Sequence, residues 1–176
     1  MRVATLKKNV FLVGFMGVGK TTVARRLARD LGVASIDVDA YLHRKHGKDA
    51  NQLFKQRGEK GLRRAEAQAL AECAAMGPAV ISCGEGIVAL PRNRQLIARE
   101  GFAVLLESSK EGSLARVKSL RTRPLLAHGC NTDELWRERK PLYDEVARAT
   151  VDVRGKSTAA AAAEVAAILK NRGIYA

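Results

Sequence analysis

Gly14 and Gly19 bracket four residues and are followed by Lys20 and Thr21, within the stretch "GFMGVGKTT". Glycines at that spacing let the main chain turn so that successive N–H groups face inward, a concavity completed by the N-terminus of a following helix. Such a concavity holds phosphate oxygens. Lys20 would neutralise the terminal phosphates of a nucleotide, and the Thr21 hydroxyl would ligate Mg²⁺. A glycine-rich turn with an exposed lysine is the plain alternative. The apolar run "NVFLV" before it and the helical pattern after it favour the phosphate cradle.

A second group is "SIDVDAY", with Asp37 at the end of an apolar run and Asp39 two residues on. In an extended chain these positions share a face, so both carboxylates would point into one cleft. Alternatively, Asp39 merely caps the next helix. Next to a phosphate cradle, one carboxylate can hold a water on Mg²⁺ while the other orients and deprotonates an acceptor hydroxyl. Three arginine-bearing stretches follow: "EKGLRRAEA", "RTRPLL" and "RERKPLYDE". Arginine offers a rigid donor fork for carboxylate or phosphate, although most arginines of a basic chain are solvated surface. "RTRPLLAHGCNTDE" is a polar segment containing proline and glycine, of the kind that closes over a phosphate.

These residues need elements to position them. Apolar runs predict strands at Val10–Val13, Ala34–Asp37, Ala79–Ser82, Ala103–Glu107 and Val151–Val153. Helical periodicity predicts Lys20–Leu31, Asp39–His46, Ala50–Arg57, Glu59–Met76, Pro91–Glu100, Gly112–Leu120, Asp133–Ala147 and Thr158–Asn171. Ser157 or Thr158 would open the last of these and Gly173 close it. Short apolar strands alternating with helices imply an α/β fold with a parallel sheet covered on both faces. Ligands then gather beyond the carboxyl ends of the strands, where the glycine loop, Asp37–Asp39 and Cys83–Gly86 all fall.

Composition limits the alternatives. With 176 residues and 47% apolar content, the chain suits one globular domain with an ordinary core. No apolar stretch reaches bilayer length and the opening "MRVATLKKN" lacks a secretory apolar core, so a cytoplasmic location is expected. Cys73, Cys83 and Cys130 form no C-x-x-C pair and read as reduced thiols. His43, His46 and His128 read as surface or packing residues, and Trp136 and Tyr143 as helix packing. The net charge of +13 favours anionic partners, either nucleic acid or small phosphate- and carboxylate-bearing substrates. Only 5% of residues are aromatic, and no basic run is interleaved with them for base stacking.

In order along the chain, "GFMGVGKTT", "DVD", "GEKGLRRAE", "CGEGIV", "RPLL" and "RKPLY" resemble the shikimate kinase family. That resemblance implies a three-layer α/β/α P-loop kinase fold with a five-stranded parallel sheet in the order 2-3-1-4-5. It implies one domain over 1–176, with a substrate-binding region at about 38–66 and a lid at about 121–133. It also implies ATP, Mg²⁺ and transfer of the terminal phosphoryl group to the 3-hydroxyl of shikimate by a monomer, without nucleic-acid or membrane partners. Carried over by position, nucleotide binding falls to Gly14, Met16, Gly17, Val18, Gly19, Lys20, Thr21 and Thr22, with Arg116 against adenine and Arg123 in the lid. Asp39 resembles the base, beside Lys20 and Arg123 as catalytic groups, and Asp37 the aspartate reaching Mg²⁺ through water. Arg63 and Arg139 resemble the arginines that hold the substrate carboxylate, with Gly84, Glu85 and Gly86 beside them.

One position departs from the family, which has three consecutive glycines where this chain has Gly84-Glu85-Gly86. Glu85 brings a negative charge to the expected place of a substrate carboxylate. At about 4 Å and an effective dielectric near 20, the repulsion is about 4 kcal/mol, roughly a thousandfold in affinity. Either Glu85 turns away and pairs with Arg63 or Arg64, or the acceptor differs (another polyol or hydroxy acid), or the chain binds ligand without turnover. The retention of the other site residues favours the first.

Overall fold

The computed structural model describes residues 4–117 and 124–176. Five strands form one parallel sheet: β1 (Asn9–Val13), β2 (Ser35–Asp37), β3 (Val80–Ser82), β4 (Gly101–Glu107) and β5 (Ala149–Asp152). Their order is β2-β3-β1-β4-β5, the expected one. β1 is buried along its whole length, as befits a central strand covered on both faces. The register aligns Leu12 with Ser82 and Asp37 with Ser82. Strands β1, β2 and β3 therefore end level, and the segments that follow them emerge side by side.

Among the described residues, eight α-helices connect and cover the strands: α1 (Lys20–Leu31), α2 (Val38–His46), α3 (Ala50–Ala75), α4 (Pro91–Glu100), α5 (Lys110–Ala115), α6 (Pro124–Ala127), α7 (Thr132–Val146) and α8 (Thr158–Asn171). Two apolar clusters lie on opposite faces of the sheet. One joins Leu42 of α2, Leu62 and Leu70 of α3, Ile97 of α4 and Tyr143 of α7 to Phe11 and Ile81. The other joins Leu27 of α1 and Val165 of α8 to Leu12 and Val104.

Several boundaries differ from expectation for local reasons. The break expected at Gly58 is present: α3 consists of two helical stretches that meet at a kink where Gly58 has φ 67°, ψ −179°. α3 opens on a capping box, in which the Asp49 carboxylate accepts from Gln52 N while the Gln52 side chain accepts from Asp49 N. Ser109 caps α5 through Gly112 N, which starts that helix two residues before the expected Gly112; the helix ends at Ala115 with Arg116 as its cap, short of the expected Leu120, which lies outside the described residues. α8 runs as expected, with the Ser157 side chain accepting from Ala160 N and Gly173 left-handed at φ 65°. A 3-10 turn at Ile87–Ala89 and the short α6 have no counterpart in the sequence-based expectation.

Candidate active site

The phosphate loop leaves β1 at Gly14. Gly14 and Gly17 are required by both space and backbone conformation, Gly19 by its φ of 103° alone. Gly14 has φ 151° and a Cβ there would stand 2.5 Å from Leu106 O; Gly17 has φ 77° and a Cβ there would stand 1.9 Å from Ser113 O. Strand β4 and helix α5 thus press directly on the loop. Lys20 opens α1, only 8% exposed, and its Nζ donates to Gly14 O at 2.7 Å and Phe15 O at 2.9 Å. The ammonium therefore lies across the cradle, where phosphate oxygens can take over from carbonyls.

A cleft of about 700 Å³ runs along this loop, lined by Gly17, Val18, Gly19, Lys20, Thr21, Thr22, Arg116, Asp39, Gly84 and Glu85. Met16, expected among the nucleotide-binding residues, is buried and lines a smaller neighbouring cavity instead. Arg116 is exposed at the C-terminus of α5, on the wall of the cleft. Arg123 and residues 121–123 of the expected lid lie outside the described residues.

Thr21, Asp37 and Ser82 form an oxygen-rich group at the ends of β2 and β3. The Thr21 hydroxyl donates to Asp37 Oδ2 at 2.6 Å and lies 3.3 Å from Ser82 Oγ. Asp37 also serves α2, since its Oδ1 accepts from Ala40 N at 2.9 Å and caps that helix. The expectation of an extended chain through both aspartates is therefore corrected. Asp37 is the cap and Asp39 already lies in the first turn of α2, so the two carboxylates serve neighbouring places rather than one shared face. Asp39 lies against Gly84, where an added Cβ would stand 2.7 Å from Asp39 Oδ1.

On the far side of Asp39 lies a pair of buried guanidinium groups. Arg63 on α3 donates to Glu66 Oε2 at 2.7 Å, and Arg139 on α7, only 2% exposed, donates from Nε to Glu85 Oε2 at 3.1 Å. Glu85 Oε1 stands 3.7 Å from Arg63 Nη2. Glu85 therefore faces both arginines: it pairs with Arg63, one of the two expected partners, and also with Arg139, so it stays at the carboxylate position instead of turning away from it. The Tyr143 hydroxyl donates to Glu85 O at 2.9 Å and fixes the main chain there. Gly86 passes so close to Arg63 that a Cβ would stand 1.8 Å from Nη1.

Burial controls the charges of this pocket. It pushes the Glu66 carboxyl up to about 7, outweighing the attraction of Arg63. For Arg63, burial acts downward, but Glu66 and Glu85 outweigh it and keep the guanidinium charged. Burial also raises the Cys83 thiol far beyond neutrality, so that side chain is an inert part of the wall. A cavity of about 20 Å³ remains, lined by Met16, Asp39, Arg63, Glu66, Gly84, Glu85, Gly86 and Pro124 among others.

Glu66 and Ser82 join the site without having been singled out by sequence reasoning, and Tyr143, read there as helix packing, joins it through its hydroxyl. Two carry a signal: Glu66 follows Arg63 by three positions and Tyr143 follows Arg139 by four, so each shares a helix face with its arginine. Ser82 is legible only through the strand register. Trp136 packs edge-on to Phe15 at 4.9 Å, and His128 stacks on Phe54 at 4.7 Å.

A family model described as shikimate kinase matches residues 16–170. A shikimate kinase of Thiobacillus denitrificans is 36% identical over 156 residues, covering 87% of this chain and 85% of that protein. One of Vibrio cholerae is 34% identical over 167 residues, covering 93% and 96%. Among solved structures, a shikimate kinase from Acinetobacter baumannii in complex with shikimate has a TM-score of 0.89 at 32% identity, covering 95% of each chain. A gluconokinase from Sinorhizobium meliloti, with a TM-score of 0.57 and 19% identity, shares the fold alone.

Proposed function

The chain belongs to the shikimate kinase family, and on that premise we propose that it transfers the terminal phosphoryl group of ATP to the 3-hydroxyl of shikimate. The observation that carries this reading is that Asp39, with Gly84 and Glu85, lines both the nucleotide cleft and the cavity beside Arg63. A carboxylate on that boundary can receive the proton of an acceptor hydroxyl facing the terminal phosphate.

In this reading the acceptor carboxylate is held by Arg63 and Arg139, which turns the ring hydroxyl toward Asp39. Asp39 accepts the hydroxyl proton as the oxygen bonds to the terminal phosphorus and the bond to the bridging oxygen of ADP breaks. Lys20 exchanges Gly14 O and Phe15 O for phosphate oxygens and neutralises charge on the departing diphosphate. Phosphoryl transfer depends mostly on such alignment and neutralisation.

The Thr21 hydroxyl, directly bonded to Asp37, is the kind of hard oxygen donor set that Mg²⁺ accepts alongside waters and phosphates. These residues fit the ion: Thr21 would ligate it and Asp37 would hold one of its waters. When bound, Mg²⁺ supplies further neutralisation of phosphate charge. The same reading has the chain acting as a cytoplasmic monomer on small molecules rather than on nucleic acid. Among the described residues, no helix is long and apolar enough to cross a membrane.

A coupled assay of ADP formation with shikimate, gluconate and simple polyols tests the function. Shikimate-dependent ADP release well above that with any other acceptor is expected. Equal or greater rates with gluconate would overturn the assignment.

A further inference from the structure

The two-arginine clamp already holds a carboxylate, and it belongs to the protein. Glu85 Oε2 accepts from Arg139 Nε at 3.1 Å and Oε1 lies 3.7 Å from Arg63 Nη2. The cavity left beside Asp39, Arg63 and Glu85, about 20 Å³, has room for about one water and none for a six-membered ring acid; a separate cleft of about 470 Å³ lined by both arginines includes neither Asp39 nor Glu85. Resting on the functional reading above, we propose that Glu85 is the resident occupant of this clamp. An acceptor carboxylate binds only by displacing it, which makes Glu85 the residue that sets acceptor affinity and charge selectivity.

The main chain at this point is anchored without help from the Glu85 carboxylate. Tyr143 holds Glu85 O, Gly84 abuts Asp39, and Gly86 abuts Arg63. The side chain can therefore turn while the backbone stays in place. There is space to receive it, because Glu85 also lines the open nucleotide cleft.

The resident carboxylate also satisfies the clamp incompletely. Its distance to Arg63 Nη2 is beyond hydrogen-bond reach, and the buried Arg63 Nε has no hydrogen-bond partner among the described residues. An incoming planar carboxylate, free to choose its pose, can use donors that a tethered one does not reach.

Charge reinforces the competition. Glu66 at 2.7 Å and Glu59 at 3.9 Å already face Arg63, and Glu138 at 2.8 Å faces Arg139. With Glu85 in place, the two guanidinium groups already serve four carboxyl groups. Apparent affinity for an acid is then lowered by the fraction of time that Glu85 is absent from the clamp. An interaction of this charge-assisted kind corresponds to about ten- to hundredfold in affinity.

The test is calorimetric titration of wild type, Glu85→Gln and Glu85→Gly with shikimate and with its primary carboxamide. Both variants should bind the acid about ten- to hundredfold more tightly than wild type, while the amide, which must displace the same side chain but carries no charge for it to repel, gains by a smaller factor. The preference for acid over amide therefore widens in the variants. A variant that binds acid no more tightly, or shifts acid and amide by the same factor, overturns the proposal, since a purely structural Glu85 would act that way. Loss of acid binding in both variants overturns it too, by making Glu85 a support of the clamp. If Glu85→Gly melts early, the isosteric Glu85→Gln alone decides. Wild-type turnover of shikimate with unchanged variant affinities defeats this inference and leaves the functional reading intact. If no protein binds shikimate, the functional reading falls and this inference with it.

Discussion

Gly86→Ala isolates the placement of one guanidinium group. Gly86 has φ −85° and ψ −4°, a conformation alanine adopts freely, so the added methyl acts only through what it strikes. It would stand 1.8 Å from Arg63 Nη1, against the 3.0 Å below which real Cβ atoms essentially never approach a neighbour; the guanidinium must retreat by at least the 1.2 Å difference. Nη1 is the atom that donates to Glu66 at 2.7 Å, and the Arg63 side chain is buried, so the retreat breaks that pair. Misplacement by about 1 Å costs about a hundredfold in catalytic efficiency, or about 2.7 kcal/mol. Because Arg63 holds the acceptor and not the nucleotide, the loss should fall on KM for shikimate and leave KM for ATP within about twofold. Disrupting the buried pair should cost about 3 kcal/mol of stability, and with it about 6–12 °C in Tm. Initial rates with each substrate varied in turn, together with a thermal melt, read all three quantities. An unchanged KM for shikimate at a lowered Tm would refute the assignment of Arg63 to the acceptor. If neither changed, the close approach of Gly86 to Arg63 would itself be wrong.

The remaining predictions concern the other groups of the site. Lys20→Ala should lower kcat by about 10²–10³ or more with the fold retained, and normal ADP formation in that variant would remove the phosphate-loop assignment. Asp37→Asn keeps an oxygen for Ala40 N and so spares the α2 cap, but it weakens the Mg²⁺ site. The Mg²⁺ concentration for half-maximal rate should rise about tenfold at unchanged Tm, and an unshifted titration would exclude Asp37 from that site. The Glu66 carboxyl, near 4.5 when unfolded, is held up to about 7 in the fold. The native state therefore binds the extra proton between those values, so this contribution is full below pH 4.5 and is lost as pH rises through 7. It amounts to about 3 kcal/mol at most, and the Tm of wild type should fall relative to that of Glu66→Gln between pH 5 and 8. Parallel Tm profiles would mean that Glu66 titrates alike in both states.

Much of this architecture is legible in the sequence because its signals are local. An apolar run places β1, and glycines at 19 and 32 delimit α1 at the expected Lys20–Leu31. For the two aspartates, alternation along an extended chain points to the right positions by the wrong route. Helix α2 begins one residue before Asp39, because the Asp37 side chain can cap it, so that alternation does not apply. Glu85 marks where local reading ends. Sequence shows a charge among glycines and suggests Arg63 or Arg64 as its partner, but the pairing with Arg139 depends on how α7 packs against the loop, a contact between residues 54 positions apart. Ser82 is likewise invisible until strand register sets it beside Thr21.

The division of the interior into two apolar clusters has a consequence for how such a molecule can change. Lys20 and Thr21 begin a helix rooted in one cluster, whereas Arg63 and Arg139 project from helices rooted in the other, with the sheet between them. The separation is not complete, because Phe15 and Met16 of the phosphate loop belong to the arginines' cluster and Phe15 packs on Trp136 of α7. Repacking beneath the arginines therefore reaches the cradle through Phe15, whose carbonyl holds Lys20, so a drift in the choice of alcohol is felt by the grip on the nucleotide.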